Sequence, residues 1–157
     1  MLIRPLEPRD LGAWRVLLQQ VIEEGTTFAY TDLAAFEQAW LGPGCTLRVA
    51  EEEGRLLGSY GIKANFPGRS DHVANAFYAV SERARGRQVG QRLGQHSLEL
   101  ASQLGFLSMQ FNLVVSTNTS AIRLWESLGF ATVGRLSGAF RHPQLGRVDA
   151  LVMFREL

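Results

Sequence analysis

Apolar positions along the chain recur with two spacings, and the places where one gives way to the other mark the elements. "MLIRPL" reads as a short strand. In "EPRDLGAWRVLLQQVIEEG", Leu11, Trp14, Leu17, Leu18 and Val21 recur at helical spacing, Asp10 stands as the N-cap and Gly25 as the stop. "TTFAYT" is a turn-like bridge to a second short helix, "DLAAFEQAWL", which "GPG" at 42–44 ends. "CTLRVAEEEGRLLGSYGIKANF" is read as two strands about a turn at "EEEG", with Glu51 to Glu53 as its solvated tip. "HVANAFYAV" is a strand. "VGQRLGQHSLELASQLG" carries Val89, Leu93, Leu98, Leu100 and Leu104 as an amphipathic helix closed by Gly105. "FLSMQFNLVVS" is a strand, and "TSAIRLWESLGF" is a helix closed by Gly129. "ATVGRLSGAF" and "VDALVMFREL" are strands joined across "RHPQLG", a loop holding Arg141 and His142.

This order predicts a mixed sheet with helices on its faces. The strand–helix–strand crossover through "HVANAFYAV" and "FLSMQFNLVVS" makes those two strands parallel and the crossover right-handed. At 157 residues, 46% of them hydrophobic, the chain suits one domain, residues 1–157. A net charge of +1 gives no general affinity for nucleic acid or membrane surfaces. No apolar run reaches membrane-spanning length and no secretory leader opens the chain, so the cytoplasm is the expected compartment. One cysteine, Cys45, excludes an intrachain disulfide and reads as a small buried hydrophobe. Trp14 and Trp40 read as core. His72, His96 and His142 lack metal-ligand spacing and are assigned structural or exposed places, with no metal expected.

Two features carry chemistry. "RARGRQVGQRL", residues 83–93, lies where a strand meets the crossover helix. There the first backbone N–H groups of a helix lack internal partners and face outward with the positive end of its dipole. Gly86 and Gly90 allow close approach, and Arg83, Arg85 and Arg87 add charge. An anion cradle and a solvated basic turn both fit this composition. The second feature is three asparagines where strands disfavour them: Asn75, Asn112 and Asn118. Asn118 precedes a helix and suits a cap. Asn75 and Asn112 sit in strands that the crossover brings together, which favours a functional use.

With "NTSAIRLWESLGF", residues 118–130, the arginine–glycine run resembles the GNAT family of acetyl-CoA-dependent N-acetyltransferases. The family's phosphate loop, Gln/Arg-x-x-Gly-x-Gly/Ala, is matched by Arg85-Gly86-Arg87-Gln88-Val89-Gly90. Its later signature is matched by Asn118, Ala121, Leu124, Trp125, Gly129 and Phe130. "HVANAFYAV", "MQFN" and "VDALVMF" are similar to the subgroup containing a yeast azetidine-2-carboxylate N-acetyltransferase. The resemblance implies an α+β fold of three layers, α/β/α, with a mixed, mostly antiparallel sheet of about seven strands whose parallel pair splays at the cofactor site.

It further implies acetyl transfer to a small amine, an amino acid or proline analogue among them, by direct attack in a ternary complex. Acetyl-CoA would be held by Tyr78, Ala79 and Val80, by Arg85, Gly86, Arg87, Gln88, Val89, Gly90 and Gln91, and by Asn118 and Trp125. The backbone N–H of Gln88, which stands for the loop's first glycine, would serve if the residue is helical. Trp125 replaces a tyrosine used as general acid; an indole gives up no proton here, so it is expected to shape the thioester pocket. Thr27, Phe28, Tyr30, Asn75 and Asn112 would bind the acceptor, with Thr26 beside them. Asn112 and Asn118 are the catalytic candidates. No general acid or base is assigned, and a water chain, Tyr30 or Tyr78 are the options for the base. No nucleic-acid or membrane partner is implied, and a homodimer is an allowed assembly. The alternatives are a protein or peptide acetyltransferase and a non-catalytic acyl-CoA-binding module.

Overall fold

The structure, a computed structural model, describes residues 1–157. Its strands are β1 (Leu2–Pro5), β2 (Thr46–Glu52), β3 (Arg55–Ala64), β4 (Val73–Val80), β5 (Ser108–Val115), β6 (Ala131–His142) and β7 (Gly146–Glu156). Its helices are α1 (Leu11–Glu24), α2 (Leu33–Trp40), α3 (Val89–Gln103) and α4 (Thr119–Ser127). The element order is the predicted one. All seven strands form one sheet in the order β1-β2-β3-β4-β5-β7-β6, and β4–β5 is its parallel pair.

Side-chain alternation along β4 shows how the sheet separates two cores. Ala74 belongs to one apolar cluster, which α3 and α4 cover with Leu93, Leu98 and Trp125 and which Leu128, just after α4, also joins. Phe77 and Ala79 belong to the other, which α1 and α2 cover with Trp14, Leu18, Phe36 and Trp40. Trp14 and Trp40 are core, as expected. The fully buried Trp14 satisfies its indole N–H on Ser59 Oγ at 2.9 Å, and that hydroxyl donates to Arg48 O at 2.8 Å. Cys45 is half-buried rather than core.

Several local expectations change. Asp10 does not cap α1 with its side chain. Its carboxylate instead accepts from Glu7 N at 2.9 Å and from both Arg4 terminal nitrogens at 2.6 and 2.9 Å. Arg4 also reaches Glu51, so the buried Asp10 ties β1 to the start of α1 and to β2. The "EEEG" turn forms with Glu53 and Gly54 both left-handed, at φ 51° and 74°, as a tight two-residue hairpin requires. Glu51 and Glu52 are not a free tip, because Glu51 pairs with Arg4 while Glu52 pairs with Arg87 and the N-terminal ammonium. Arg141 and His142 are strand residues, paired with Arg147 and Gly146, because β6 and β7 run almost to the turn between them. His142 Nδ1 accepts there from Gln144 N and Leu145 N. His96 is structural: its Nδ1 lies 2.6 Å from the Tyr60 hydroxyl.

The Arg4 hydrogen bonds hold the Asp10 carboxyl down at about 2, against an ordinary 3.8. A folded-state value below the unfolded one stabilises the fold above pH 3.8 and loses that contribution as pH falls toward 2. Asp10→Asn is therefore expected to cost roughly 1–3 kcal/mol at neutral pH. It is also expected to flatten the fall of stability between pH 4 and pH 2. Denaturant melts across that range check both effects.

Candidate functional site

The centre of the sheet comes apart. β4 and β5 are registered only at Val73↔Ser108 and Ala74↔Met109, and beyond those pairs the strands diverge. On its far edge β5 slips register against β7 between Phe111 and Val114, a bulge that carries Asn112 and Leu113. The splay opens a cavity of about 670 Å³ that runs through the sheet. Residues 26–30 and Asn75 wall it on the α1–α2 side, and Leu124 and Trp125 wall it on the α4 side.

Ladder parity fixes which backbone groups face this opening. Ser81 donates to Leu57 O and Asn65 to Val73 O, so β4 residues 73, 75, 77 and 79 bond toward β3. The N–H groups of Ala76, Tyr78 and Val80 then point toward the missing partner. Ala76 N is taken by Asn75 Oδ1 at 2.8 Å, which leaves those of Tyr78 and Val80 facing the gap.

The arginine–glycine run forms the predicted turn into α3. Gly86 and Gln88 are both left-handed, at φ 77° and 59°. Gln88 is thus not helical, contrary to the condition set for it. Its backbone nevertheless joins a set of N–H groups, on Gly86, Gln88, Val89, Gly90 and Gln91, that donate to no protein acceptor. Such outward N–H groups at a helix start form an anion cradle, and a β-carbon added at Gly86 would meet nothing within 4 Å. The arginines contribute less positive charge than their number suggests. Arg85 places one terminal nitrogen 2.6 Å from each Glu24 oxygen, and Arg87 is paired with Glu52. Arg83 is exposed and has no ion-pair partner.

The predicted acceptor residues share the α1–α2 face. Thr26, Thr27, Phe28, Tyr30, Asn75 and Asn112 all line the cavity. Phe28 and Tyr30 pack on Phe36, with ring centroids 5.1 and 5.2 Å away. Asn112 forms a reciprocal amide pair with Asn65, at 2.7 and 3.0 Å, and accepts from Gln110 Nε2 at 3.0 Å. Asn65 gave no sequence signal, since one asparagine after a strand looks like any turn residue. Asn118 Oδ1 caps α4 by accepting from Ala121 N at 3.3 Å, and the residue also lines the cavity.

Tyr78 turns its hydroxyl to Ser97 Oγ on α3, at 2.7 Å, and burial pushes its phenol well above the ordinary range. That hydroxyl lies across the sheet from residues 26–30, which removes it as a base for an acceptor held there. Ala79, Val80, Arg85, Gly90 and Trp125 also line the cavity, while Gly86, Arg87 and Gln88 lie on the loop beside it and Val89 and Gln91 in the first turn of α3.

Comparison with known proteins agrees with this geometry. The model of the acetyltransferase (GNAT) family matches residues 13–130. The N-acetyltransferase aca1 of Schizosaccharomyces pombe is 42% identical over 98 residues, which is 62% of this chain and 47% of that protein. The chain therefore corresponds to about half the length of that relative. A solved GCN5-related N-acetyltransferase from Kribbella flavida is 39% identical, with a TM-score of 0.93 over 99% of this chain and 97% of that one. A Sinorhizobium meliloti phosphinothricin acetyltransferase, solved in complex with acetyl-CoA, shares the fold at 22% identity, with a TM-score of 0.86 over 99% of this chain and 88% of that one.

A β-carbon at Gly90 would lie 3.5 Å from Leu124 Cδ2 and 3.8 Å from Val80 Cγ2, so the backbone tolerates it, but branched γ-carbons would enter the cavity wall. Gly90→Val is expected to keep its melting temperature within a few degrees and to weaken CoA binding at least about tenfold, the worth of one hydrogen bond to a charged group. Calorimetric titration with CoA reads the loss, and unchanged affinity would remove residues 85–91 from the donor site.

Proposed function

The chain belongs to the acetyltransferase (GNAT) family, and we propose that it transfers the acetyl group of acetyl-CoA to a small amine in the cytoplasm, by direct attack in a ternary complex. Amino acids and proline analogues are the first acceptor class. The observation that carries this reading is the character of the cavity on the α1–α2 face. It is bounded by Phe28, Tyr30, Phe36 and Trp40 and holds two uncharged amides, Asn75 and Asn112. A walled pocket of apolar rings with a few polar groups suits a small molecule better than a chain lying across a surface. Membership of the family and the free N–H cradle at residues 86–91 support acetyl-CoA as donor.

The chemistry asks little of ionisable side chains. The amine must attack as a neutral base, so a bare carboxylate beside it would work against the reaction by holding it protonated. Glu24, the acidic residue in the cavity wall, is balanced by Arg85. Amides bind without adding charge. The Tyr78 and Val80 N–H groups are placed to polarise a carbonyl oxygen lodged in the splay, where low polarity raises their effect. Holding amine and thioester in register supplies the rest.

A second reading, acetylation of a protein N-terminus or lysine, has one observation in its favour. A polar groove lined by Gln20, Glu23, Glu24, Thr26, Glu82 and Arg85 adjoins the cavity mouth and carries three carboxylates. Acetyl-CoA turnover, read by thiol release across amino acids, proline analogues, polyamines and peptides, separates the two readings. Activity confined to peptides would overturn the small-amine assignment.

Once an acceptor is found, Asn75→Ala and Asn112→Ala are each expected to lower acceptor kcat/KM by roughly 1–3 kcal/mol in transition-state terms, with CoA affinity unchanged. Asn65→Ala is expected to act in the same direction but less, because it frees the Asn112 amide without removing it. Steady-state kinetics with the acceptor varied, paired with CoA titrations, checks the series. Equal losses of acceptor use and CoA affinity would make these amides structural.

A further inference from the structure

The chain has one lysine, and it stands at the α1–α2 end of the cavity. All its other strongly basic side chains are arginines. Lys63 lies on β3 directly opposite Asn75 of β4. Side chains opposite one another in an antiparallel pair share a face of the sheet, so Lys63 emerges beside the Asn75 amide. Its ammonium sits 4.2 Å from the centre of the Trp40 ring, at the end of α2. Trp40 and Asn75 both line the cavity.

This ammonium lacks a counter-charge. It enters no ion pair, and its one protein acceptor is the neutral Ala39 O, at 2.7 Å. Arg15 on α1 and Arg85 in the cavity wall are each neutralised, by Glu37 and Glu24. An ammonium has three N–H groups to place, and a half-buried one without an anion is held at a cost. The neighbouring Asn75 amide is only half used. Its Oδ1 accepts from Ala76 N at 2.8 Å, while its Nδ2 donates to no protein atom. The one carboxylate in the cavity wall, Glu24, ends α1 and is already paired. Two donors on adjacent strands, one of them charged, thus flank this end of the cavity with no anion of the protein to receive them. A carboxylate accepts from an ammonium and an amide at once.

We infer that Lys63 binds a carboxylate of the acceptor, with the Asn75 amide as its uncharged partner, so that the acceptor is an amino acid rather than a plain amine. This rests on the small-amine reading above. Lysine suits the task, because its compact charge on a flexible stem can leave Ala39 O and turn to a ligand. Its charge also helps the chemistry. A carboxylate left unbalanced would hold the acceptor's own amine protonated, and a cation beside it favours the neutral amine that must attack.

The test compares L-amino acids and azetidine-2-carboxylate, each beside its own carboxamide, at equal concentrations of neutral amine. Acetyl-CoA turnover is read by thiol release. The parent is expected to prefer the acid over the amide by at least about tenfold, the scale of one hydrogen bond to a charged group. Lys63→Met keeps the stem against Trp40 and removes the charge. It is expected to lower kcat/KM for the acid about tenfold more than for the amide, chiefly through KM. Lys63→Arg, which keeps the charge, is expected to recover part of that preference, a readout that a merely structural stem would not move. Melting temperatures establish that the variants are folded, and Lys63→Gln is read in place of Lys63→Met where the latter melts early. A parent that uses amides as well as acids, or a Lys63→Met variant that loses both alike, overturns the inference alone and leaves the small-amine reading standing. Turnover of peptides with no small amine used overturns that reading and the inference with it.

Discussion

Everything at the site follows from a ladder that stops early. Two parallel strands at the middle of a seven-stranded sheet stay paired for two registered residue pairs and then part. Unpaired backbone groups in a sheet interior cost free energy unless something takes them up. Here Asn75 folds back onto Ala76 N–H, and the amide pair of Asn65 and Asn112 braces the bulged strand opposite. What is left over, the N–H groups of Tyr78 and Val80, is directed into the space the strands vacate. The divergence that would weaken an ordinary sheet provides a walled cavity with fixed donors, held by strands that are paired on their outer edges.

Because the opening passes through the sheet, its two ends lie in different cores. The α4 end is lined by Trp125 and Leu124 and adjoins the free N–H groups at the start of α3. The other end lies under the aromatic cluster of Phe28, Tyr30, Phe36, Trp40 and Phe77. In the proposed reaction, donor and acceptor would approach from opposite faces and meet where neither helical layer intrudes.

The order of elements was legible in the sequence because it rests on periodicity and on glycine stops that act locally. The parallel pair followed from chain topology. The common facing of Asn75 and Asn112 rests on strand parity, which is also local. What escaped depended on contacts between distant segments. Arg85 and Arg87 read as free charge until their partners, Glu24 and Glu52, were brought beside them from 61 and 35 residues away. Asp10 has the composition of a cap, but Arg4 and Glu7 turn it to another use. The left-handed backbone at Gln88 has no signature, since glutamine seldom adopts it. Asn65 gained meaning only through Asn112, 47 positions away.

The Arg85–Glu24 pair joins the loop before α3 to the last residue of α1, two positions before residues 26–30, which wall the α1–α2 end of the cavity. In the proposed reaction each partner belongs to a different half. An anion that draws Arg85 toward the cradle leaves the Glu24 carboxylate without its counter-charge at the cavity wall. A cation that settles on Glu24 releases Arg85. Thermodynamic linkage makes these two effects equal in size, so whatever this pair gives to cofactor binding in the presence of a cationic ligand it returns to that ligand in the presence of cofactor. With cofactor and acceptor bound as proposed, this one exposed ion pair would couple the two ends of the cavity, and added salt, which screens an exposed pair, would weaken that coupling.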